Sequence, residues 1–233
     1  MLYLVATPIG NLGDITHRAL DLLGEADTIV CEDTRRTQKL LNHYRVRRKD
    51  GTVPSLVSFH EHSGPGRLRQ ILEELGQGKS VALVSDSGVP LISDPGFELV
   101  REVIRRGIRV EALPGPSALL TALVLSGLAV DRFSFFGFLP QKSAARRKAL
   151  SEIKDYRETL IFYESPFRLI RTLEDMKETF GDREACVARE LTKKFEEIVR
   201  GYLSEIIEKF SIRKILGEMV ILVAGKGRKE TLH

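Results

Sequence analysis

The sequence predicts an α/β protein built as two lobes. Three observations carry that reading. Short apolar runs alternate with amphipathic helical stretches from residue 2 to residue 224. Several runs end in loops rich in Gly, Pro and small polar residues, where open α/β sheets place their sites. The alternation restarts near residue 133, and 233 residues suffice for two small domains. We therefore expect an N-terminal lobe over residues 1–113, a C-terminal lobe over residues 114–233, and largely parallel sheets.

Taken in order, residues 2–6 form an apolar run stopped by Thr7-Pro8-Ile9-Gly10. Thr16 is placed to cap a helix bearing Ala19, Leu20, Leu22 and Leu23, with Gly24 as its stop. Residues 28–31 read as a second strand and 34–44 as a basic helix. Residues 81–84 are a further strand, leading into a loop over 85–94. Asp94-Pro95 has the order of a cap followed by proline at the first helical position. The helix it opens is expected to bury Phe97, Val100, Val103 and Ile104 and to close at Gly107. Residues 109–113 are a strand, and Pro114-Gly115-Pro116-Ser117 starts a helix that ends at Gly127. In the second lobe, strands are expected at 133–138, 159–163, 185–188, around 198–200 and at 219–224. Helices are expected near 144–153, after a Ser165-Pro166 cap with Leu169, Ile170, Leu173, Met176 and Phe180 on one face, and at 204–210. The tail over 226–233 reads as disordered.

Composition narrows the function. The chain is 42% hydrophobic and 29% charged, as in an ordinary soluble globular protein, and its longest apolar stretches are too short to span a bilayer. No signal peptide is expected, because only a brief apolar run without a preceding basic residue leads into Pro8. Cys31 and Cys186 form no CxxC pair, which argues against a zinc knuckle or a disulfide framework and for a reducing, cytoplasmic setting. The net charge of +4 suits a nucleic-acid partner without requiring one. With no Trp and 7% aromatics, a single-strand binder built mainly on stacking is not expected. Walker, dinucleotide-fold, hydrolase-elbow and HExxH patterns are all missing, and His60-Glu61-His62 lacks metal-site spacing.

What remains is a set of loops and charges. The loops over residues 7–14, 85–94 and 114–117 are more elaborate than plain connectors, and their small residues let backbone approach a ligand. Glu32 and Asp33 end a strand, and Glu164 ends another. Each is a helix cap or ion-pair partner on one reading, and a general base on the other. Two basic runs, one holding Arg35 and Arg36 and the other Lys142, Arg146 and Arg147, are either solvated faces or a grip on a phosphate backbone.

Together, residues 5–16 (Val-Ala-Thr-Pro-Ile-Gly-Asn-Leu-Gly-Asp-Ile-Thr), Glu32-Asp33-Thr34-Arg35, residues 85–96 (Ser-Asp-Ser-Gly-Val-Pro-Leu-Ile-Ser-Asp-Pro-Gly) and Leu113-Pro114-Gly115-Pro116-Ser117-Ala118 resemble the tetrapyrrole (corrin/porphyrin) methylase superfamily. The branch they resemble methylates ribose 2′-oxygens. The motifs Phe136-Gly137-Phe138-Leu139-Pro140, Phe162-Tyr163-Glu164-Ser165-Pro166 and Ala188-Arg189-Glu190-Leu191-Thr192-Lys193 extend the likeness across nearly the whole chain. Some positions depart from the pattern. Ser87-Gly88-Val89 stands where tetrapyrrole methylases carry Gly-Asp-Pro, which weakens a porphyrinoid substrate. Ser63 replaces a common Asn, Phe167 a common His, and Leu216 a common Lys.

The resemblance implies a two-lobed, class III methyltransferase fold with S-adenosylmethionine in a cleft between the lobes. Cofactor contacts are expected from Pro8, Asp86, Ser87, Gly88, Val89, Pro90, Leu91 and Ile92, from Ser117 and Ala118, and from Tyr163 and Glu190. The implied acceptor is a cytidine ribose of 16S ribosomal RNA in the small subunit, near the decoding centre. Arg35, Arg36, Lys142, Arg146 and Arg147 would hold that RNA. Glu32, Asp33 or Glu164 would assist deprotonation of the hydroxyl, with Lys193 and Lys194 next in line. A homodimer is implied, with no DNA or membrane partner and no metal. Two alternatives stand beside this reading: a methylase acting on a tetrapyrrole or on the modified histidine of an elongation factor, and a non-enzymatic RNA-binding assembly factor.

Overall fold

The computed structural model describes residues 1–60 and 63–227, and the chain divides into two compact units, Met1–Ser117 and the part from Ala118 on. In the first unit, strands β1 (Leu2–Val5), β2 (Thr28–Cys31), β3 (Ser55–Ser58), β4 (Val81–Val84) and β5 (Val110–Leu113) form one sheet in the order β3-β2-β4-β1-β5. Every pairing in it is parallel. Helices α1 (His17–Glu25) and α2 (Thr34–His43) cover one face, and α3 (Pro65–Gly76) and α4 (Phe97–Arg105) the other. The period of two explains the layering: Val81 and Leu83 enter the core under α3 and α4, whereas Ala82 and Val84 enter the one under α1 and α2.

The second unit opens with α5 (Ala118–Ser126) and continues through β6 (Phe133–Phe138), α6 (Ser143–Ile153), β7 (Thr159–Glu164), α7 (Leu169–Phe180), β8 (Glu184–Arg189), β9 (Glu197–Tyr202), α8 (Leu203–Ser211) and β10 (Met219–Val223). Its sheet runs β6-β7-β10-β8-β9. Only β6 and β7 pair in parallel; β10 lies antiparallel between β7 and β8, and β9 is antiparallel to β8. The expectation of largely parallel sheets therefore holds for the first unit and not for the second. Leu160, Phe162, Val187 and Ile221 meet α6, α7 and α8 in one core, while α5 packs on β8, β9 and β10.

Several local expectations are corrected. The helix after Asp94-Pro95 starts at Phe97, with Gly96 at its N-cap and no side-chain cap, so Asp94 is not the capping residue. That helix buries Leu99 and Val103, leaving Phe97 and Ile104 exposed. Gly24 lies inside α1, which ends at Glu25; the Thr16 cap accepts from the Ala19 N–H as expected. Ser165-Pro166 opens a turn, and α7 begins only at Leu169. Strand β3 and helix α3 are additional elements. Of the His60-Glu61-His62 tripeptide, Glu61 and His62 lie outside the described residues, as does the tail beyond Gly227.

Candidate functional site

Because the first sheet is wholly parallel, the loops after β1, β4 and β5 leave it at one edge. They converge on Gly88. Its N–H donates to the Thr7 carbonyl and its carbonyl accepts from the Thr7 N–H, both at 3.0 Å. The Thr7 hydroxyl donates to the Ser85 carbonyl at 3.1 Å, and the Ser85 hydroxyl to the Gly88 carbonyl at 3.1 Å. Gly88 sits at φ 85°, where a Cβ would stand 3.2 Å from Ile9 Cγ2 and 3.4 Å from the Pro116 carbonyl oxygen. A side chain here is opposed by backbone strain and by both flanking loops. Gly115 makes the second close approach, since its Cβ would lie 2.6 Å from that of Ala6. Leu91 (φ 74°) and Ser93 (φ 66°) occupy the same left-handed region without glycine's freedom. Non-glycine residues so placed are held by their surroundings and cluster at functional sites.

Carboxylates crowd the same edge. Asp86 accepts from the Asp33 N–H at 3.3 Å and pairs with Arg36 at 3.4 Å. Burial pushes the Asp94 carboxyl up to about 6; a hydrogen bond with Ser85 opposes the shift, and the charges of Glu32 and Asp86 add to it. Asp94 was legible only as a cap, and no local signal distinguishes it. Asp33 caps α2, accepting from the Arg35 N–H at 2.8 Å, and that bond holds its pKa below the ordinary value. Glu32 is exposed, and among the described residues no hydrogen bond or ion pair holds its carboxylate.

In the second unit, Glu164 is 2% exposed. It accepts from the Ser165 N–H (2.7 Å), Arg168 (2.9 Å) and the Thr172 hydroxyl (2.6 Å), so donors of the fold hold both of its oxygens. Tyr163 stands edge-on to Phe135. Glu190 follows β8 at φ 49° and accepts from the Lys193 ammonium at 2.9 Å and the Glu218 N–H at 3.0 Å. Burial alone would raise the Glu190 pKa, but the donors from Glu218 and Lys193 hold it low. Ala118 is the first residue of α5 and belongs to the second unit.

The five basic residues separate by environment. Arg146 is 2% exposed, bound to Asp175 (Nε to Oδ2 2.6 Å) and to the Gln141 carbonyl (3.1 Å). It clamps α6 to α7, with its guanidinium engaged by Asp175 and the backbone before α6. Arg147 is half-exposed and pairs with Glu178 at 2.8 Å. Arg35 and Lys142 are exposed, and Arg36 leans on Asp86.

The profile of the tetrapyrrole (corrin/porphyrin) methylases matches residues 1–207. The chain belongs to this family. Ribosomal RNA small subunit methyltransferase I of Halalkalibacterium halodurans is 50% identical to this methylase over 228 residues, covering 98% of the chain and 77% of that protein. The protein of the same name from Thermotoga maritima is 48% identical over 225 residues, covering 97% and 98%. Among solved structures, diphthine synthase superposes with a TM-score of 0.69 at 17% identity, covering 97% of the methylase and 90% of that chain. Uroporphyrin-III C-methyltransferase from Thermus thermophilus, complexed with S-adenosylhomocysteine, gives a TM-score of 0.62 at 21% identity, each chain 97% covered. These distant structures establish the fold of the methylase.

Proposed function

We propose that this methylase transfers a methyl group from S-adenosylmethionine to the ribose 2′-oxygen of a cytidine in small-subunit (16S) ribosomal RNA, near the decoding centre. The observation that carries the reading is the meeting of three post-strand loops at Gly88, in a chain half identical to proteins named for small-subunit ribosomal RNA methylation. When bound, S-adenosylmethionine supplies an activated methyl on a positively charged sulfur. The residues here fit such a group. Gly88 and Gly115 keep the loop floor free of side chains, and Asp86, Asp94 and Glu32 provide negative charge at the same edge.

Pro8, the backbone of Ser87, Gly88 and Val89, and the turn ending at Ser117 are the cofactor contacts of the first unit. Pro90, Leu91 and Ile92 shape the loop beneath them, and Tyr163 and Glu190 are the proposed contacts of the second. The chain's remaining tasks are to orient the hydroxyl and to accept its proton. Glu32 is the proposed acceptor, since Asp33 and Glu164 are committed to the fold. The 2′-hydroxyl is found in RNA and not in DNA, so contacts to it exclude DNA. Arg35, Arg36 and Lys142 are the proposed phosphate contacts, with Arg147 at their margin. Among the described residues no helix is long and apolar enough to cross a membrane; a cytoplasmic homodimer is part of the proposal.

The test is transfer of labelled methyl from S-adenosylmethionine to small-subunit RNA, with a porphyrinoid acceptor in parallel. Label in the RNA alone is expected. Label in the porphyrinoid alone moves the enzyme to the tetrapyrrole branch, and cofactor binding without transfer to RNA refutes the reading.

A further inference from the structure

The second unit carries exposed aromatic rings at one end of its sheet. Strands β6, β7 and β8 run in the same direction, because β10 is antiparallel to both β7 and β8. Their C-terminal ends therefore share an edge. At that edge Phe138 is 59% exposed, Phe167 87% and Phe195 65%, although chains normally bury such side chains.

The arrangement is built. The register of β6 on β7 shifts between Phe135 and Phe138, so both residues, three apart, bring their rings to Tyr163, with centroids at 4.8 and 5.7 Å. Phe136 between them stacks on Phe162 in the core, at 5.3 Å. Arg168 ties the loop after β7 to that after β6 by donating to the Leu139 carbonyl at 2.8 Å, which links the residue after Phe167 to the residue after Phe138. Lys194 lies over the Phe195 ring at 5.6 Å. Lys142 and Lys194 are exposed on the same edge, and among the described residues neither enters an ion pair. From β6 to β8 is three strand spacings, about 14 Å, the breadth over which RNA-binding sheets stack two or three bases.

We propose that Phe138 and Phe167, with Phe195 at the far side, are the platform on which unpaired bases of the RNA substrate stack while Lys142 and Lys194 hold the phosphates. The flat rings fit base faces, and the unpaired cations fit the backbone that accompanies them. This deepens the proposed function and rests on it: a ribose can enter an active site only on an unstacked nucleotide, and the platform supplies the stacking that nucleotide loses. It departs from the expectation drawn from aromatic content, since few rings suffice when they are concentrated at one edge.

The experiment compares the parent with Phe138→Leu, Phe167→Leu and the double variant, which keep apolar bulk and remove the flat ring. Affinity for polycytidylate is read by anisotropy, and KM and kcat for small-subunit RNA by methyl transfer. Each single change should weaken RNA binding and raise KM roughly five- to tenfold with the salt slope of binding as in the parent, and Phe167→Leu should also keep the parent's kcat and cofactor affinity. Phe167→Trp should bind at least as tightly as the parent, which a merely structural role would not produce. Polycytidylate affinity within twofold of the parent in the double variant, with unchanged melting temperature, overturns the platform even where the parent methylates RNA normally. Polycytidylate binding also reads the platform should the parent transfer no methyl, so the two proposals fail separately. Light scattering that shows the double variant dissociating a parent dimer would assign this face to a second copy and likewise overturn it.

Discussion

Substitution of Gly88 perturbs a residue at which the loops after β1, β4 and β5 meet. Forcing a Cβ into the left-handed region costs roughly 1–2 kcal/mol for alanine. The 3.2 Å approach to Ile9 and the 3.4 Å approach to the Pro116 carbonyl add crowding. Alanine should thus lose about 2 kcal/mol. Valine, whose two branches press into the same neighbours, should lose about 3–5 kcal/mol, as over-packing typically adds 1–3 kcal/mol. The paired Thr7–Gly88 backbone bonds make the strain local, so it should appear as displaced loops before it appears as lost fold. Urea unfolding measures the stability, and calorimetry with S-adenosylmethionine measures the site. Gly88→Ala should weaken cofactor binding at least tenfold while remaining folded at 25 °C, and Gly88→Val should abolish it. Were Gly88→Val to bind cofactor like the parent, the placement of the cofactor on this loop floor would be wrong.

Arg146→Ala should destabilise the second unit by about 3 kcal/mol, because buried Asp175 loses its closest cation and keeps only the Ser143 hydroxyl and Arg147 at 3.6 Å, while the salt slope of RNA binding stays unchanged. Neutralising Arg35 and Lys142 should instead leave melting unaltered and flatten that slope by about 0.7 log units per lost contact. Glu164→Gln should lower the melting temperature with little change in single-turnover rate, and Glu32→Gln should do the reverse, slowing transfer about 10²-fold or more. Asp94, raised to about 6 by burial, binds its proton more tightly in the folded chain than in the unfolded one. Its contribution is therefore fully present below about pH 4 and is lost as pH rises through about 6. Asp94→Asn should gain on the parent across that window, by about 1–2 kcal/mol once partial exposure is discounted, when urea midpoints are compared at pH 4.5 and 7. A difference that stays constant with pH would remove Asp94 from the account.

The first unit's loops were legible because their chemistry is local: a buried run such as Val81–Val84 followed by Gly and Pro marks a strand end wherever it occurs. The phase of α4 was only partly legible, since Phe97, Leu99, Val100, Val103 and Ile104 share one stripe roughly 160° wide, of which packing buries the Leu99–Val103 flank and leaves the Phe97–Ile104 flank exposed. Helix α3 did carry a signal, with Leu68, Ile71, Leu72 and Leu75 at helical spacing, but it follows the short, half-polar strand β3. Strand direction in the second sheet has no local signature; α8 is a crossover between β9 and β10, which run parallel to each other on either side of β8, and it is the antiparallel β8–β9 pairing that turns both against β6, β7 and β8. Long-range partners decided the site residues. Arg146 reads as part of a basic run, solvated or gripping a phosphate backbone, until Asp175, 29 residues away, is brought against it, and Glu164 reads equally as ion-pair partner or general base until Thr172 and Arg168 close around it.

Nucleoside analysis after methyl transfer tests the central claim most directly. Small-subunit RNA is treated with the enzyme and S-adenosylmethionine carrying a trideuterated methyl, digested, and read by mass spectrometry. The account predicts the label on a single cytidine, on the ribose fragment, with the adjoining phosphodiester resistant to alkali because its 2′-oxygen is blocked. Label on the base fragment, or RNA that stays unlabelled while cofactor binds, would contradict it.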